Sequence, residues 1–277
     1  MTPQLHRLTF TLALESWRGP SRDLYGPGHA LLLDLLRRGD AATAGEVHDA
    51  DRRKPFALSR LHVEGIGQGA ATAHLTVNLW DAGLAGTLER GLEAALEVRA
   101  WVRGASAILV RVDRSASAPL PAIADGPEPR SIQVRFASPT FFSLGRRGGR
   151  QSYCLLPVPE LVVRSWLRPW LEAGGVVPDD PLAPGWLADR VAIRRVRDLS
   201  TVAVDSVKTA LTGFTGDVSY AWTGAEPWGP GLLDALARFA EYCGTGAKTG
   251  HGFGETCVLG LSRAASGGDN GSHGGEL

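Results

Sequence analysis

The sequence predicts an α+β protein made of two tandem βαββαβ halves. Strand and helix signals run β-α-β-β-α-β over residues 5–114, and the same order returns over 131–262. Between them, SASAPLPAIADGPEP at 115–129 is rich in Pro, Ala and Ser and reads as a linker. A chain of 277 residues, 44% of them hydrophobic, has the length for two domains of roughly 100–150 residues and the apolar content for their cores.

The first half opens with LHRLTFTLAL, 5–14, whose apolar alternation is that of a strand. WRGPSRDLYGPG, 17–28, is a loop by its Gly and Pro content. HALLLDLLRRGD, 29–40, is a compact apolar helix with basic residues at its end and Gly39 as a stop. The short helical piece AATAGEVHDAD follows. FALSRLHVEGI, 56–66, and ATAHLTVNLW, 71–80, are strands joined through the turn GQG at 67–69. TLERGLEAALEVR, 87–99, is an amphipathic helix, and ASAILVRVDR, 105–114, a strand.

The second half opens with the strand SIQVRFASP, 131–139, and the helix PELVVRSWLRPWLEAG, 159–174. Strands follow at 191–204 and 213–222. The helix GPGLLDALARFAEYCG, 229–244, has Pro230 in its first turn and Gly244 at its stop, and GETCVLGLS, 254–262, is the last strand. Both halves thus read as ferredoxin-like (RRM-like) domains, at 1–125 and 126–263, followed by a disordered tail at 264–277.

Acidic and basic residues balance at 29 each, so no global field attracts a polyanion and any nucleic-acid binding has to come from local patches. Lysine occurs only at Lys54, Lys208 and Lys248, so arginine supplies the rest of the basic residues, a bias that codon composition and phosphate binding explain equally well. The cysteines Cys154, Cys243 and Cys257 are odd in number and form no CxxC, which argues against a disulfide framework or a zinc knuckle. No secretory leader and no uninterrupted apolar run of about 18 residues is present, so the expectation is a soluble cytoplasmic protein without membrane contact.

GTGAKTGHGFGE, 244–255, is the densest signal. Glycines let backbone amides approach a ligand and form an anion-binding nest, here around Lys248. It is no P-loop, because Ala247 stands before Lys248 where that motif needs Gly. It is no dinucleotide fingerprint either, because Thr249 occupies the third glycine position and the segment leads from a helix into a strand. An ordinary flexible loop is the competing explanation.

Seven histidines offer acid–base chemistry. His6, His62 and His74 lie in expected strands, His273 in the tail, and His251 in the glycine segment, where a solvated loop residue is the simpler reading. His29 opens the first helix after YGPG, and His48 stands beside Arg52, Arg53 and Lys54. There is no HExxH, no GxSxG elbow and no two-metal carboxylate set, so no metal or other cofactor is expected. Imidazole, with an ordinary pKa of about 6.5, gives and takes protons near neutrality.

Four segments together resemble a known family: GHALLLDLL at 28–36, EVHDADRRKPFALSRL at 46–61, VRFASPTFF at 134–142 and GTGAKTGHGFGE at 244–255. They are similar to the CRISPR repeat-processing endoribonucleases of the RAMP superfamily, the Cas six type, and the resemblance spans most of residues 5–262. It implies two ferredoxin-like domains and one metal-independent cut within each CRISPR repeat of a precursor RNA. The ribose 2′-hydroxyl attacks the adjacent phosphorus, leaving a 2′,3′-cyclic phosphate and a 5′-hydroxyl. By the same resemblance the catalytic histidine falls on His29 and a second on His48, with Arg22, Lys54 and, more weakly, Tyr25 stabilising charge. The RNA-contacting loop falls on Gly244, Gly246, Lys248, Gly250, Gly252 and Gly254. Arg146, Arg147 and Arg150, in SLGRRGGRQ, are candidates to meet a repeat stem, with a solvated loop as the equal alternative. Arg52, Arg53, Arg194, Arg195 and Arg197 extend a basic face if strand register permits. The implied partner is CRISPR repeat RNA, with a homodimer or a CRISPR effector complex as further assemblies. Two other functions compete: a non-catalytic RNA-binding subunit of an effector complex, which needs no acid–base group, and a ferredoxin-like protein holding a small anionic metabolite in the glycine loop.

Overall fold

The computed structural model of the chain describes residues 3–49, 54–67, 69–94, 97–123, 130–177, 179–183, 185–205 and 210–263. Arg52, Arg53 and the expected tail lie outside them, as does part of the expected linker.

The first half contains β1 (Gln4–Glu15), β2 (Arg22–Leu24), α1 (Pro27–Gly39), α2 (Ala41–Asp49), β3 (Phe56–Leu58), β4 (Leu61–Gly67), β5 (Ala70–Leu79), α3 (Ala82–Glu93), β6 (Arg99–Val102), β7 (Ala105–Arg114) and β8 (Ala118–Pro119). Its sheet runs β2-β4-β5-β1-β7-β6, every described pair antiparallel. β1 is therefore central between β5 and β7, the strands that lie before and after α3 in the chain, the arrangement that a βαββαβ unit dictates. The second half contains β9 (Arg130–Thr140), β10 (Phe142–Arg147), β11 (Arg150–Cys154), α4 (Pro159–Glu172), β12 (Val191–Asp205), β13 (Ala210–Trp222), α5 (Gly229–Cys243) and β14 (Thr256–Arg263). Its sheet, β12-β13-β9-β14, repeats the same order, and β10 and β11 form a separate hairpin. The tandem ferredoxin-like architecture expected from the sequence is thus present.

Each half has its own apolar core between sheet and helices. Leu31, Leu32, Leu35 and Leu36 of α1 bury against Phe10, Leu12, Leu75 and Val77 of the first sheet. Val162, Val163, Trp166 and Leu167 of α4 bury with Phe239 of α5 and Phe214 of β13. Helices α1 and α3 touch backbone to backbone: a Cβ on Gly39 would stand 2.0 Å from the Thr87 carbonyl oxygen, and one on Gly91 2.0 Å from that of Leu35.

Three boundaries depart from the sequence expectation. The helix expected at 87–99 begins earlier, because the Asp81 side chain accepts a hydrogen bond from the Leu84 amide and caps it. Residues 99–102 instead form β6, which turns into β7 through Arg103 and Gly104, both at positive φ. The strand expected at 56–66 is broken at Ser59 and Arg60, between β3 and β4.

The halves meet through apolar and charged contacts. Leu5, Ala57 and Trp80 of the first half join the core of the second. Arg7 donates to the Glu241 carbonyl at 2.7 Å and lies over the Tyr242 ring at 4.4 Å. Arg60, freed by the strand break, pairs with Asp23 at 2.8 Å within its own half and with Glu255 at 2.6 Å across the divide.

Candidate active site

His29 sits in the first turn of α1. Pro27 stands at the start of that helix, where a missing amide proton costs nothing, and Gly26 precedes it at φ 108°. This sharp entry sets the His29 side chain against the glycine segment of the second half. Its Nδ1 donates to the Gly250 carbonyl at 2.9 Å, which leaves Nε2 unprotonated in the neutral ring. The imidazole stacks on that of His251, centroids 4.1 Å apart and planes 15° from parallel, with Phe56 5.8 Å away. The Gly26 amide also donates to the His251 carbonyl at 3.1 Å, so main chain and side chain both tie the segment to α1.

The glycine segment is an ordered, tightly packed turn. Thr245 bonds its amide to the Gly254 carbonyl at 2.8 Å and accepts from Trp166 Nε1 at 2.7 Å. Ala247 bonds the Phe141 carbonyl at 2.8 Å, and Thr249–His251 form one 3-10 turn. Gly254, at φ 71°, has no room for a side chain: its Cβ would stand 1.9 Å from the Thr245 carbonyl oxygen. Gly246, at φ 79°, would bring one 2.4 Å from the Phe141 oxygen. Gly244, Gly252 and Gly254 are buried. At Gly252 and Gly254 neighbouring backbone occupies the space a side chain would need, and at Gly244 the Gly254 carbonyl and the Thr249 side chain do. Lys248, at φ 59°, is exposed at the crown of the turn.

The charged and titratable groups acting on the stacked rings are basic. Burial, then Lys54 and His48, hold the His29 pKa below its ordinary value, against the Gly250 carbonyl that favours the protonated ring. The helix N-terminus acts in the same direction as the burial. Burial, then His29, Lys248 and Lys54, push His251 down to about 4. Both rings are therefore neutral at pH 7. Lys54 reaches back to the end of α2, where its ammonium donates to the carbonyls of Val47 and His48, and burial lowers its pKa. His48 is exposed, with Nδ1 2.9 Å from Asp49.

The structure thus gathers His29, Lys54, His48, Lys248 and Gly250 around one place. Tyr25 is 6% exposed and packs on Phe253 at 4.7 Å, in a small cluster with Phe141 and Leu211 that underlies the loop. Burial and the neighbouring Asp23 push its pKa to about 12. Arg22 lies on β2 opposite Val63, and among the described residues no hydrogen bond or ion pair joins it to either ring. Arg146, Arg147 and Arg150 lie at the end of the β10–β11 hairpin, with Arg146 and Arg150 exposed. Arg194, Arg195 and Arg197 are exposed on the edge strand β12. His251 is half-buried against His29, which corrects its reading as a solvated loop residue. Its only sequence signal was its place in the glycine segment, since a stack across 222 positions leaves no local pattern.

A family profile for the CRISPR-associated endoribonuclease Cas6 matches residues 134–256, the stretch from β9 through the glycine turn. Among solved structures, the Thermus thermophilus Cas6 TTHB231 in a product complex superimposes with a TM-score of 0.75 at 26% identity, covering 93% of this chain and 100% of that one. The Cas6 TTHA0078 product complex, also from Thermus, superimposes with a TM-score of 0.68 at 31% identity, with the same coverage. A RAMP protein described as binding different RNA substrates shares the fold at 15% identity and a TM-score of 0.60. No curated protein matches the chain. At 31% identity over 93% of its length and the whole of a Cas6 chain, this protein belongs to the Cas6 family of CRISPR-associated endoribonucleases.

Proposed function

We propose that this protein binds CRISPR precursor RNA and cleaves it once within each repeat, by attack of a ribose 2′-hydroxyl and without a metal. The observation that carries this reading is the neutral His29 ring, bonded through Nδ1 to the Gly250 carbonyl, with the Lys54 ammonium acting on it. Its Nε2 takes the proton of the 2′-hydroxyl as that oxygen bonds to phosphorus. The bond from phosphorus to the 5′-oxygen breaks, and the leaving oxygen takes a proton from His48, which the Asp49 carboxylate steadies. The RNA ends are then a 2′,3′-cyclic phosphate and a 5′-hydroxyl. Lys54 meets the extra negative charge on the phosphoryl oxygens in the transition state.

A basic track supports the RNA reading. A groove of about 610 Å³ between the glycine turn, β10 and α4 is lined by Lys248, Arg168, Arg164 (paired to Glu160 at 2.8 Å) and Glu172. It adjoins the hairpin that carries Arg146 and Arg150. Such local cations let a chain without net charge hold a polyanion. Two Cas6 relatives were captured with product, and TTHA0078 also with a substrate mimic, which favours the same ligand class here.

The test is cleavage of repeat RNA by His29→Ala and His48→Ala. His29→Ala is expected to lower the rate about 10²- to 10⁴-fold with RNA affinity retained. A His29→Ala protein that cuts at the wild-type rate overturns the assignment, and tight binding with no cutting by the wild type would favour a non-catalytic RNA-binding subunit.

A further inference from the structure

His251 has a place in the geometry that the chemistry above does not use. Its main chain is anchored twice: its amide bonds the Lys248 carbonyl at 2.9 Å, and its carbonyl accepts from Gly26 at 3.1 Å, next to the start of α1. Its ring is thereby delivered face-on to His29 at 4.1 Å. Gly250, the preceding residue, holds His29 Nδ1 at 2.9 Å. Two consecutive loop residues thus constrain one imidazole in two different ways. The hydrogen bond fixes the tautomer but leaves rotation about its own axis, and the stacked plane removes that rotation. Phe56 stands on β3 at 5.8 Å, so His29 is flanked by aromatic rings.

We infer that His251 is a positioning residue for His29, whose ring locks the His29 plane and shields it from water, so that Nε2 is presented to the RNA as a base. This inference rests on the functional reading above and assigns a task to a residue that reading leaves idle. His251 itself transfers no proton. The other groups that act on the pair are Lys54, beyond the end of α2, His48 of α2 and Lys248 of the glycine turn, all basic, and they oppose a second positive charge beside His29. With its pKa pushed down to about 4, His251 is a neutral plane at pH 7.

Two substitutions separate positioning from chemistry. His251→Ala removes the ring, wets His29 and frees its rotation. Single-turnover cleavage is expected to fall about 10- to 100-fold, the order that slight misplacement of a reacting group produces, with affinity for uncleavable 2′-deoxy repeat RNA unchanged. Because lost burial favours the protonated imidazole, the acid limb of the pH–rate profile moves to higher pH. His251→Phe keeps a flat shielding ring without any proton to transfer, and its rate and acid limb are expected to stay within about threefold and close to the wild type. A second readout does not depend on cleavage: the His29 ring, followed by NMR titration in the RNA-free protein, titrates at higher pH in His251→Ala than in the wild type and His251→Phe. Equal His29 titration in wild type and His251→Ala overturns the inference, even where the wild type cleaves the repeat. So does a His251→Phe protein as impaired as His251→Ala, which would make the ring a proton carrier. A wild type that leaves the repeat intact instead defeats the functional reading, while the titration still reports on the ring pair.

Discussion

His29 owes its character to three segments: α1 carries it, the glycine segment fixes its proton through Gly250 and covers its face with His251, and Lys54 supplies positive charge. Lys54→Ala removes a cation that lowers the His29 pKa and meets the phosphoryl charge. Its cleavage rate is expected to fall about 10²- to 10³-fold, and the acid limb of its pH–rate profile to move to higher pH. An unchanged limb would show that Lys54 exerts no field on His29. Stability carries its own signature. The folded pKa values of His29 and His251 lie below the unfolded value of 6.5, so their contribution is fully present above pH 6.5. It is lost as pH falls toward about 4, because the unfolded chain binds protons that the fold resists. Denaturant melts between pH 7 and pH 4 should therefore lose less stability in His251→Phe than in the wild type. His29 stood out in the sequence because it opens a helix after YGPG, and Lys54 because it stands in the basic cluster beside His48. The His29–His251 stack was hidden, since only the fold brings residues 29 and 251 together.

At the scale of elements, the glycine segment was conspicuous in the sequence, but its packing was not. Glycine permits a ligand to approach, and it equally permits another stretch of backbone to approach, and sequence does not distinguish the two. Gly246, Gly252 and Gly254 show the second use, against the backbone of Phe141, Arg60 and Thr245. Gly254→Ala, strained by its φ of 71° and by the Thr245 carbonyl, is expected to cost about 2–3 kcal/mol in a denaturant melt. Gly91→Ala, which would wedge α3 from α1, is expected to cost a similar amount, about 2–3 kcal/mol, whereas Gly45→Ala, with open space around it, should raise stability slightly. Equal melts for Gly254→Ala and Gly45→Ala would contradict the packing account. Strand order and helix positions were legible because periods of 2 and 3.6 are local properties. The start of α3 was misplaced because one side-chain cap at Asp81 decides it, and the break between β3 and β4 because the Arg60 partner lies in the other half.

At the scale of the whole molecule, the site is a seam: α1 belongs to one half and the glycine turn to the other. Its rigidity depends on how the halves are held. Arg60→Ala removes the ion pair to Glu255 and leaves Asp23 and Glu255 side by side, at an expected cost of about 1–3 kcal/mol. Loss of cleavage together with that stability would show the seam and the site to be coupled. The tandem repeat of halves could be read from element order, while their relative placement rests on pairings such as Arg7 with Glu241 that no periodicity announces. Cleavage of RNA by internal 2′-hydroxyl attack is read by incubating the purified protein with end-labelled cognate repeat RNA in excess EDTA, beside the same RNA carrying a 2′-deoxy residue at the cut. One cut is expected in the first, with a 2′,3′-cyclic phosphate end, and none in the second. Cutting of the deoxy RNA, or cutting that stops in EDTA and returns with a divalent metal, would contradict that mechanism.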